Sequence, residues 1–209
     1  MSRVLSAADT SSVDEAAAAL RRGEVIGIPT ETVYGLAVMP TQEGLERLLA
    51  AKQRSADKGV QLLIDSLDQA LAVAVVTDAA ERLAQAFWPG GLTIVLDRRD
   101  DSALPEALGG GRPTLGLRLP DHEVPRALAR RLGPIAASSA NVSGEPDATT
   151  AERVADTLGK HVALIVDDGQ VRGGTPSTVV DCSDDSAPPR VLREGAISSE
   201  RIAAALAAA

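Results

Sequence analysis

Short apolar runs alternate along the chain with longer segments in which apolar residues recur at helical spacing. Helices are predicted over residues 12–22, from 42, after 66, over 78–88 and 123–132, from 150 and after 199. Strands are predicted over residues 25–28, 61–65, 92–96, 114–119, 135–138, 162–166, 178–181 and 190–193. This order predicts an α/β fold with a twisted mixed sheet, parallel and antiparallel, flanked by helices.

Several of these predicted elements have signals at their ends. Ser12 and Ser66 are each followed three positions later by Glu or Gln, which predicts capping boxes. Asp78 is predicted to cap the fourth helix, and Gly23 to supply the left-handed residue that ends the first. Residues 97–113, with three consecutive glycines, are predicted to form a mobile polar loop that could close over a cleft as a lid.

The length of 209 residues, without repeats or long linkers, favours a single domain over residues 1–209 with its core at about 12–200. Apolar residues make up 44% of the chain, which is enough for a core at this length. Cys182 is the single cysteine, so an intrachain disulfide is excluded and a cytoplasmic location fits best. The N-terminus lacks a signal pattern and no apolar run approaches ~18 residues, so no membrane association is expected.

The net charge of -8 argues against a surface that binds nucleic acid by broad phosphate neutralisation. Tyr34, Phe87 and Trp88 are the three aromatic residues, which leaves little on which single-stranded bases could stack. Two histidines and one cysteine cannot form a Cys/His zinc cluster. Any contact with RNA would therefore have to be local.

Lys52, Arg54 and Lys58 place three cations within seven residues, at or just beyond the C-terminus of the second predicted helix. In one interpretation they are solvated charges that balance the helix dipole. In the other, Arg54 holds phosphate oxygens in a fork while the lysines act as point charges on a triphosphate. Both interpretations remain open at the level of this segment alone.

Residues 138–144, Ser-Ser-Ala-Asn-Val-Ser-Gly, follow a predicted strand and contain four short hydrogen-bonding side chains within six residues. Such a segment is either a polar turn or a place where backbone N–H groups approach a phosphate closely. Open α/β sheets bind ligands at the carboxyl ends of their strands, where this segment lies. The chain has no Gly-x-x-x-x-Gly-Lys or Gly-x-Gly-x-x-Gly loop, so P-loop and dinucleotide-binding sites are excluded.

Three further positions are candidates for binding a small substrate. Thr32 and Tyr34 lie within residues 29–35, which form either a substrate pocket or an ordinary segment leaving the end of a strand. Arg118 ends a predicted strand and either holds a carboxylate in bidentate fashion or pairs with Asp121.

Five segments occur in this order along the chain: Pro-Thr-Glu-Thr-Val-Tyr-Gly at 29–35, Phe-Trp-Pro-Gly at 87–90, Leu-Arg-Leu-Pro-Asp-His at 117–122, Ser-Ala-Asn-Val-Ser-Gly-Glu-Pro at 139–146 and Ser-Thr-Val-Val-Asp at 177–181. Together they resemble the YrdC-like family of threonylcarbamoyl-AMP synthases, whose signature pairs Lys-x-Arg with Ser-x-Asn. The resemblance covers roughly residues 12–200 and implies a single YrdC-like domain, in a short form without an additional C-terminal domain. Where the family usually has proline, this chain has Ser55, Gly59 and Glu194.

The resemblance implies synthesis of threonylcarbamoyl-AMP and pyrophosphate from L-threonine, bicarbonate and ATP, for the threonylcarbamoyl (t6A) modification of adenosine 37 in tRNA. The catalytic residues would be Lys52, Arg54, Ser139 and Asn141. ATP would be bound by Arg54, Lys58, Thr114, Ser139, Asn141, Ser143 and Arg193. L-Threonine would be bound by Thr32, Tyr34, Arg118, Ala137 and Ser177.

Mg²⁺ would enter with ATP, and no metal bound by the protein itself is expected. Separate threonylcarbamoyl-transferase proteins would modify the tRNA, and direct binding of tRNA is left open. One alternative is a non-catalytic RNA-binding or ribosome-maturation module of the same fold. Another is a carbamoyl-transfer domain of the kind found in hydrogenase maturation, although those proteins carry cysteine-rich zinc modules that this chain lacks.

Overall fold

The computed structural model describes residues 2–208, which form one sheet and the helices that cover it. The strands are β1 (Arg3–Ser6), β2 (Ile26–Ile28), β3 (Gly35–Val38), β4 (Gln61–Leu63), β5 (Leu92–Asp97), β6 (Thr114–Arg118), β7 (Ile135–Ser139), β8 (Leu164–Asp167), β9 (Thr178–Asp181) and β10 (Arg190–Arg193). The helices are α1 (Ser12–Arg21), α2 (Gln42–Lys52), α3 (Leu67–Leu71), α4 (Asp78–Phe87), α5 (Glu123–Leu132), α6 (Ala151–Leu158) and α7 (Ser199–Ala207), with a 3₁₀ helix at Glu106–Gly109. None of these helices is both long and apolar enough to cross a membrane.

Within the described residues, the sheet has ten strands in the order β1-β8-β2-β3-β7-β4-β6-β5-β9-β10. β1 and β2 pair in parallel with β8, β4 with β6, and β5 with β9. The pairs β2 with β3, β3 with β7, β4 with β7, β5 with β6, and β9 with β10 are antiparallel. The predicted α/β class, with a mixed sheet flanked by helices, is therefore confirmed.

The strands divide their side chains between two hydrophobic clusters, because successive residues of a strand point to opposite faces of the sheet. Leu62 and Ala136 belong to the larger cluster, which also contains apolar residues of α2, α4, α6 and α7. Leu63 and Ile135 belong to the smaller cluster, together with residues of α1 and α5. α1 and α5 contact β8, β2, β4 and β7, so this second face has helix cover at one end of the sheet.

Two strands are absent from the sequence prediction. β1 lies at an edge of the sheet with mostly exposed side chains, and it therefore lacks the apolar pattern of a buried strand. β3 is fully buried but only four residues long, and it directly follows the polar residues 29–34. Because β1 precedes residue 12, the sheet extends beyond the core predicted from the sequence.

Gly23 has a φ of 78° just beyond α1, as predicted, but two of the three predicted N-terminal caps are wrong. The Ser12 hydroxyl donates to the Ser6 carbonyl oxygen at 2.6 Å, and α1 begins without a side-chain cap. Thr77, the residue before Asp78, caps α4, because it lies just before the first turn and its hydroxyl accepts a backbone N–H. The Ser66 cap is confirmed, since its side chain accepts a backbone N–H of α3.

The predicted mobile loop over residues 97–113 is partly packed against the rest of the protein. Leu108, in the 3₁₀ helix, is 1% exposed, and its carbonyl oxygen accepts the Val60 N–H at 2.9 Å. Gly110 has a φ of 64°, and a methyl group there would collide with the Asp57 carbonyl oxygen. This half of the segment is therefore tethered to residues 57–60, and its closure as a lid stays a prediction.

Candidate active site

A cavity of about 310 Å³ lies above β4, β5, β6 and β9, on the sheet face that α1 and α5 cover elsewhere. Its floor is built by cross-strand pairs, since Gln61 lies opposite Ala137 and Thr93 lies opposite Val179. All four residues line the cavity. The alternation of strand side chains therefore turns this end of the sheet face into a concave, polar surface.

Seven residues predicted as site residues line this cavity: Arg54, Thr114, Arg118, Ala137, Ser139, Ser177 and Arg193. Thr114 and Arg118 are brought there by β6, whose intervening Gly116 leaves space at the floor because it has no side chain. These residues come from segments more than 130 positions apart in the chain, and the sheet order brings them together.

The cavity has a strongly positive lining. Arg54, Arg112, Arg118 and Arg193 all line it, and the described lining residues include no Asp or Glu. Burial lowers the pKa of the Arg193 guanidinium, and the charges of Arg54 and Arg118 lower it further, while Asp147 acts in the opposite direction. Positive charges this close repel one another, and a bound anion removes that cost.

Arg54 keeps part of its hydrogen-bonding capacity unused. Its Nη2 donates to the Gly59 carbonyl oxygen at 3.1 Å, whereas its buried Nε has no partner. Burial lowers the pKa of this guanidinium, and Asp57 partly offsets the effect. A buried donor without an acceptor is rare in folded proteins, and a ligand oxygen in the cavity would satisfy it.

Lys52 does not contact the cavity, although it is the first residue of the Lys-x-Arg signature. It ends α2 and is 1% exposed, so the interpretation as a solvated charge is wrong. Its Nζ donates to the Ser139 carbonyl oxygen, to the Asn141 carbonyl oxygen at 2.8 Å and to Asn141 Oδ1 at 2.9 Å. Burial, reinforced by the charge of Arg54, lowers the pKa of Lys52 to about 8. Lys52 therefore acts on the cavity through the turn that it holds.

The turn after β7 is closed by its own side chains. The Ser139 hydroxyl donates to Asn141 Oδ1 at 2.7 Å, and Asn141 Nδ2 donates to the Glu145 carbonyl oxygen at 2.6 Å. The Ser143 N–H donates to the Lys52 carbonyl oxygen at 2.9 Å. Asn141 and Ser143 are not among the residues that line the cavity: the Asn141 side chain is directed into the turn, and Ser143 is exposed. Ser139 is the member of the signature pair that reaches the cavity.

Arg118 is held by a network of buried partners. It is 2% exposed, and its Nη2 donates to Glu31 Oε1 at 2.7 Å and to Thr32 Oγ1 at 2.8 Å. Its Nε donates to the Gly90 carbonyl oxygen at 3.1 Å. The alternative pairing with Asp121 is therefore wrong, because Glu31 takes that place. Thr32 does not line the cavity itself and contacts it through Arg118.

A chain of hydrogen bonds crosses the cavity floor. Arg193 Nη2 donates to the Ser177 carbonyl oxygen at 2.7 Å and to its hydroxyl at 3.3 Å. The Ser177 and Thr93 hydroxyls are 2.9 Å apart, and Thr93 donates to Gln61 Oε1 at 2.7 Å. Because the single Thr93 proton goes to Gln61, the Ser177 proton goes to Thr93. The Ser177 oxygen is therefore left as an acceptor toward the cavity.

Two other predicted site residues lie elsewhere. Tyr34 is fully buried, and its hydroxyl donates to the Gly169 carbonyl oxygen at 2.7 Å, beyond the end of β8. Burial raises the pKa of this phenol. Tyr34 is predicted to contact the substrate, but it is not among the residues that line the cavity. Lys58 is exposed and is also absent from the cavity lining. Glu194, beside Arg193, turns away from the cavity, and its Oε2 accepts the Ser199 N–H at 2.9 Å.

The sequence prediction misses three polar residues of the lining: Gln61, Thr93 and Arg112. Gln61 and Thr93 lie in strands whose side chains alternate, so the period of two could have placed them on one face once the sheet order was known. Arg112 follows three glycines and precedes β6. Its positive charge was the signal in the sequence that could have identified it as a phosphate-binding candidate.

The family model Sua5_yciO_yrdC, with the description "Telomere recombination", matches residues 18–195. Threonylcarbamoyl-AMP synthase of Bacillus subtilis is 40% identical over 197 residues, which are 93% of this chain and 56% of that protein. Threonylcarbamoyl-AMP synthase of Pyrococcus abyssi is 39% identical over 190 residues, which are 90% of this chain and 55% of that protein. The chain thus spans about half the length of these two relatives.

Solved structures are similar over nearly the whole chain. P. abyssi Sua5 in complex with L-threonine has a TM-score of 0.90 and 35% identity, covering 98% of this chain and 60% of that chain. E. coli YciO has a TM-score of 0.85 and 28% identity, covering 97% of this chain and 100% of that chain. The family model, the relatives and these structures agree with the resemblance carried by the five segments: this chain belongs to the Sua5/YciO/YrdC family.

Proposed function

We propose that this protein is an L-threonylcarbamoyl-AMP synthase, an enzyme of the nucleotidyltransferase class. It would convert L-threonine, bicarbonate and ATP to threonylcarbamoyl-AMP and pyrophosphate. The observation that carries the proposal is a cavity lined by four arginines and no carboxylate. The names of the relatives and the L-threonine complex of P. abyssi Sua5 support the choice of substrates.

The nucleotide would occupy the part of the cavity next to Arg54, Ser139, Thr114 and Arg193. Guanidinium groups bind phosphate oxygens in a fork, and charge-assisted hydrogen bonds of this kind contribute roughly 1.5 to 3 kcal/mol each. The unpartnered Nε of Arg54 is one such donor. Lys52 and Asn141 would keep Ser139 in place by holding the turn, so their part in catalysis would be positional.

Mg²⁺ would arrive as part of the ATP substrate. Among the described residues there is no group of three or more His, Cys, Asp or Glu that could hold a metal ion. The lining offers guanidinium and hydroxyl groups, which do not replace the carboxylates that bind Mg²⁺ in proteins. The phosphates of ATP would therefore supply the ligands, and the bound ion would offset negative charge on them.

L-Threonine would occupy the adjoining part of the cavity, between Arg118, Ala137 and Ser177. Arg118 would bind the carboxylate of the amino acid, because its guanidinium is fixed by Glu31 and Thr32. The Ser177 oxygen would accept a hydrogen bond from the substrate, since its own proton is donated to Thr93. Threonine and the α-phosphate would then be neighbours over β6.

The chemistry requires positioning and charge stabilisation more than a protein nucleophile. The threonine amine adds carbon dioxide, derived from bicarbonate, to give a carbamate. A carbamate oxygen then attacks the α-phosphorus, the new O–P bond forms, and the bond to the bridging oxygen breaks to release pyrophosphate. Arg54 and Arg193 would stabilise the negative charge that develops on the phosphates. The cavity is partly open, so the bound nucleotide would have to help shield the labile carbamate from water.

Pyrophosphate release tests this proposal directly. The protein is incubated with ATP and bicarbonate, with and without L-threonine, and the products are examined by mass spectrometry. We expect release that depends on threonine, together with the threonylcarbamoyl-AMP adduct. ATP binding without turnover, or salt-sensitive RNA binding without pyrophosphate release, would favour the non-catalytic alternative. Transfer to tRNA by separate proteins and a cytoplasmic location stay predictions.

The pKa of Lys52 predicts a pH dependence of ATP binding. Below a pH of about 8 the ammonium has three N–H donors for its three acceptors, and above it the amine has only two. The positive charge near the phosphates is lost as well. We therefore expect the affinity for ATP to fall as pH rises through about 8. Phosphate groups lose their last proton near pH ~6, so ATP itself does not titrate in this range.

The same titration has the opposite effect on folding. The pKa of Lys52 is lower in the folded protein than its ordinary value of 10.5, so between these values the unfolded chain holds the extra proton. The contribution of Lys52 to the free energy of unfolding therefore rises with pH in that window. ATP affinity and thermal unfolding measured from about pH 7 to 10 separate the two effects. If the ATP affinity of Lys52→Met falls with rising pH by the same factor as that of the wild type, another group is responsible for the pH dependence.

A further inference from the structure

Arg112 lines the cavity although the family signature does not include it. It follows Gly109, Gly110 and Gly111 and directly precedes Pro113 and β6. It is exposed, as Arg193 is, but Arg118 and Arg193 are held by partners on the cavity floor. We propose that Arg112 is a phosphate-binding residue for the β- and γ-phosphates of ATP, which leave as pyrophosphate. This inference rests on the proposed function of the cavity.

The backbone before Arg112 is fixed by close packing. A methyl group at Gly109 would lie 2.6 Å from the Thr114 carbonyl oxygen, and one at Gly110 would lie 2.7 Å from the Gly59 nitrogen. Gly110 also has a φ of 64°, a backbone conformation that residues with a Cβ rarely adopt. The Val60 N–H donates to the Leu108 carbonyl oxygen at 2.9 Å. These contacts keep Arg112 at the rim, next to the segment that carries Arg54.

The charges around Arg112 place it at the outer end of the cavity. The Ser55 hydroxyl hydrogen-bonds to the Asp57 carboxylate and lowers its pKa, and the charges of Lys58 and Arg112 lower it further. The exposed Asp57 is therefore a neighbour of Arg112, and the backbone contact of Gly110 with the Asp57 carbonyl oxygen agrees with this. Asp57 also acts on the pKa of Arg54. The charges of Arg54 and Arg118 act in turn on the pKa of Arg193, so Arg54 lies between the Asp57 side of the cavity and Arg193.

The position of Arg112 decides which phosphate it would bind. The α-phosphate must lie beside the threonine carbamate, and Arg118 and Ser177 mark that interior end. The β- and γ-phosphates then extend toward the rim, where Arg112 stands. No ion pair within the described residues occupies Arg112, so its guanidinium is available for an anion. A guanidinium at this place would stabilise the charge that builds on the leaving pyrophosphate.

Direct binding measurements test this assignment in the intact protein. The affinities for ATP, pyrophosphate, AMP and L-threonine are measured by calorimetry for the wild type, Arg112→Ala and Arg112→Lys. The control is Arg99→Ala, an exposed arginine of the same segment that does not line the cavity. We expect Arg112→Ala to weaken ATP and pyrophosphate about tenfold, while AMP and threonine change by less than about twofold. Arg112→Lys keeps the charge and recovers part of the loss.

Equal weakening of ATP and AMP would overturn the assignment, because it would place Arg112 at the α-phosphate or the nucleoside. An unchanged ATP affinity in Arg112→Ala would overturn it as well. Either result leaves the proposed function standing if the wild type still forms the threonylcarbamoyl-AMP adduct. A wild type that binds neither ATP nor pyrophosphate would overturn both proposals together.

Discussion

Lys52→Met is expected to lower both ATP affinity and turnover by about 100-fold, or roughly 3 kcal/mol, while the protein remains folded. The buried ammonium makes three hydrogen bonds to the turn that contains Ser139 and Asn141. Methionine fills a similar volume but donates nothing, so the turn loses the contacts that fix its shape. Ser139, which lines the cavity, then no longer has a defined position.

The effect of this substitution on folding is expected to be small. Placing an ammonium in the interior has a desolvation cost, which the lowered pKa of Lys52 reflects. Methionine removes that cost but takes one donor from three oxygen acceptors, two of which keep another donor, and the two effects oppose each other. We expect the free energy of unfolding to change by less than about 2 kcal/mol. Lys52→Ala would also leave a cavity and is therefore the poorer test.

Activity and unfolding of Lys52→Met are measured together, with Lys160→Met as a matched control. Lys160 is one of the three lysines, is exposed and follows α6, outside both signature segments. The control is expected to keep wild-type affinity and turnover. A folded Lys52→Met that also keeps them would show that the turn needs no support from Lys52.

Lys52 also illustrates how far the sequence can predict this site. The helical pattern from residue 42 and the αL residue Gln53 place Lys52 at the end of α2, as predicted. The direction of a long side chain at a helix end depends on acceptors that other segments provide. Here these acceptors are backbone oxygens 87 and 89 positions away, so the choice between phosphate, solvent and turn required the tertiary structure.

Tyr34 and Thr93 show the same dependence on strand order. Thr93 lies in a predicted strand, whereas Tyr34 precedes β3, which the sequence does not predict. Even a correct strand pattern does not say which strand is its neighbour. Tyr34 directly precedes β3 and contacts Gly169, because β3 pairs with β2 and β2 pairs with β8 in the sheet. Thr93 meets Ser177 because β5 and β9 pair in parallel. Local patterns therefore predict the elements and the signature residues, while the hydrogen-bond partners follow from long-range pairing.

Arg118→Met is expected to abolish measurable L-threonine binding and to lower the free energy of unfolding by about 3 kcal/mol. Arg118 is 2% exposed and forms a 2.7 Å ion pair with Glu31, whose other oxygen, Oε2, is already buried without a partner. Removing the guanidinium leaves a carboxylate with no opposite charge in a largely buried place. The loss of one member of such a pair costs more than the pair contributes.

A double-mutant cycle separates the structural part of this effect from substrate binding. Glu31→Gln in the Arg118→Met background removes the uncompensated charge, so it is expected to restore part of the stability but no threonine binding. Arg126→Met is the matched control, because Arg126 is more exposed than Arg118 and its partner Asp65 keeps a second ion pair with Arg130. It is expected to lose about 1 kcal/mol or less. Chemical denaturation and calorimetry with L-threonine measure both quantities. If the double variant binds threonine as the wild type does, Arg118 holds Glu31 and residues 31–32 in place and does not bind the substrate carboxylate.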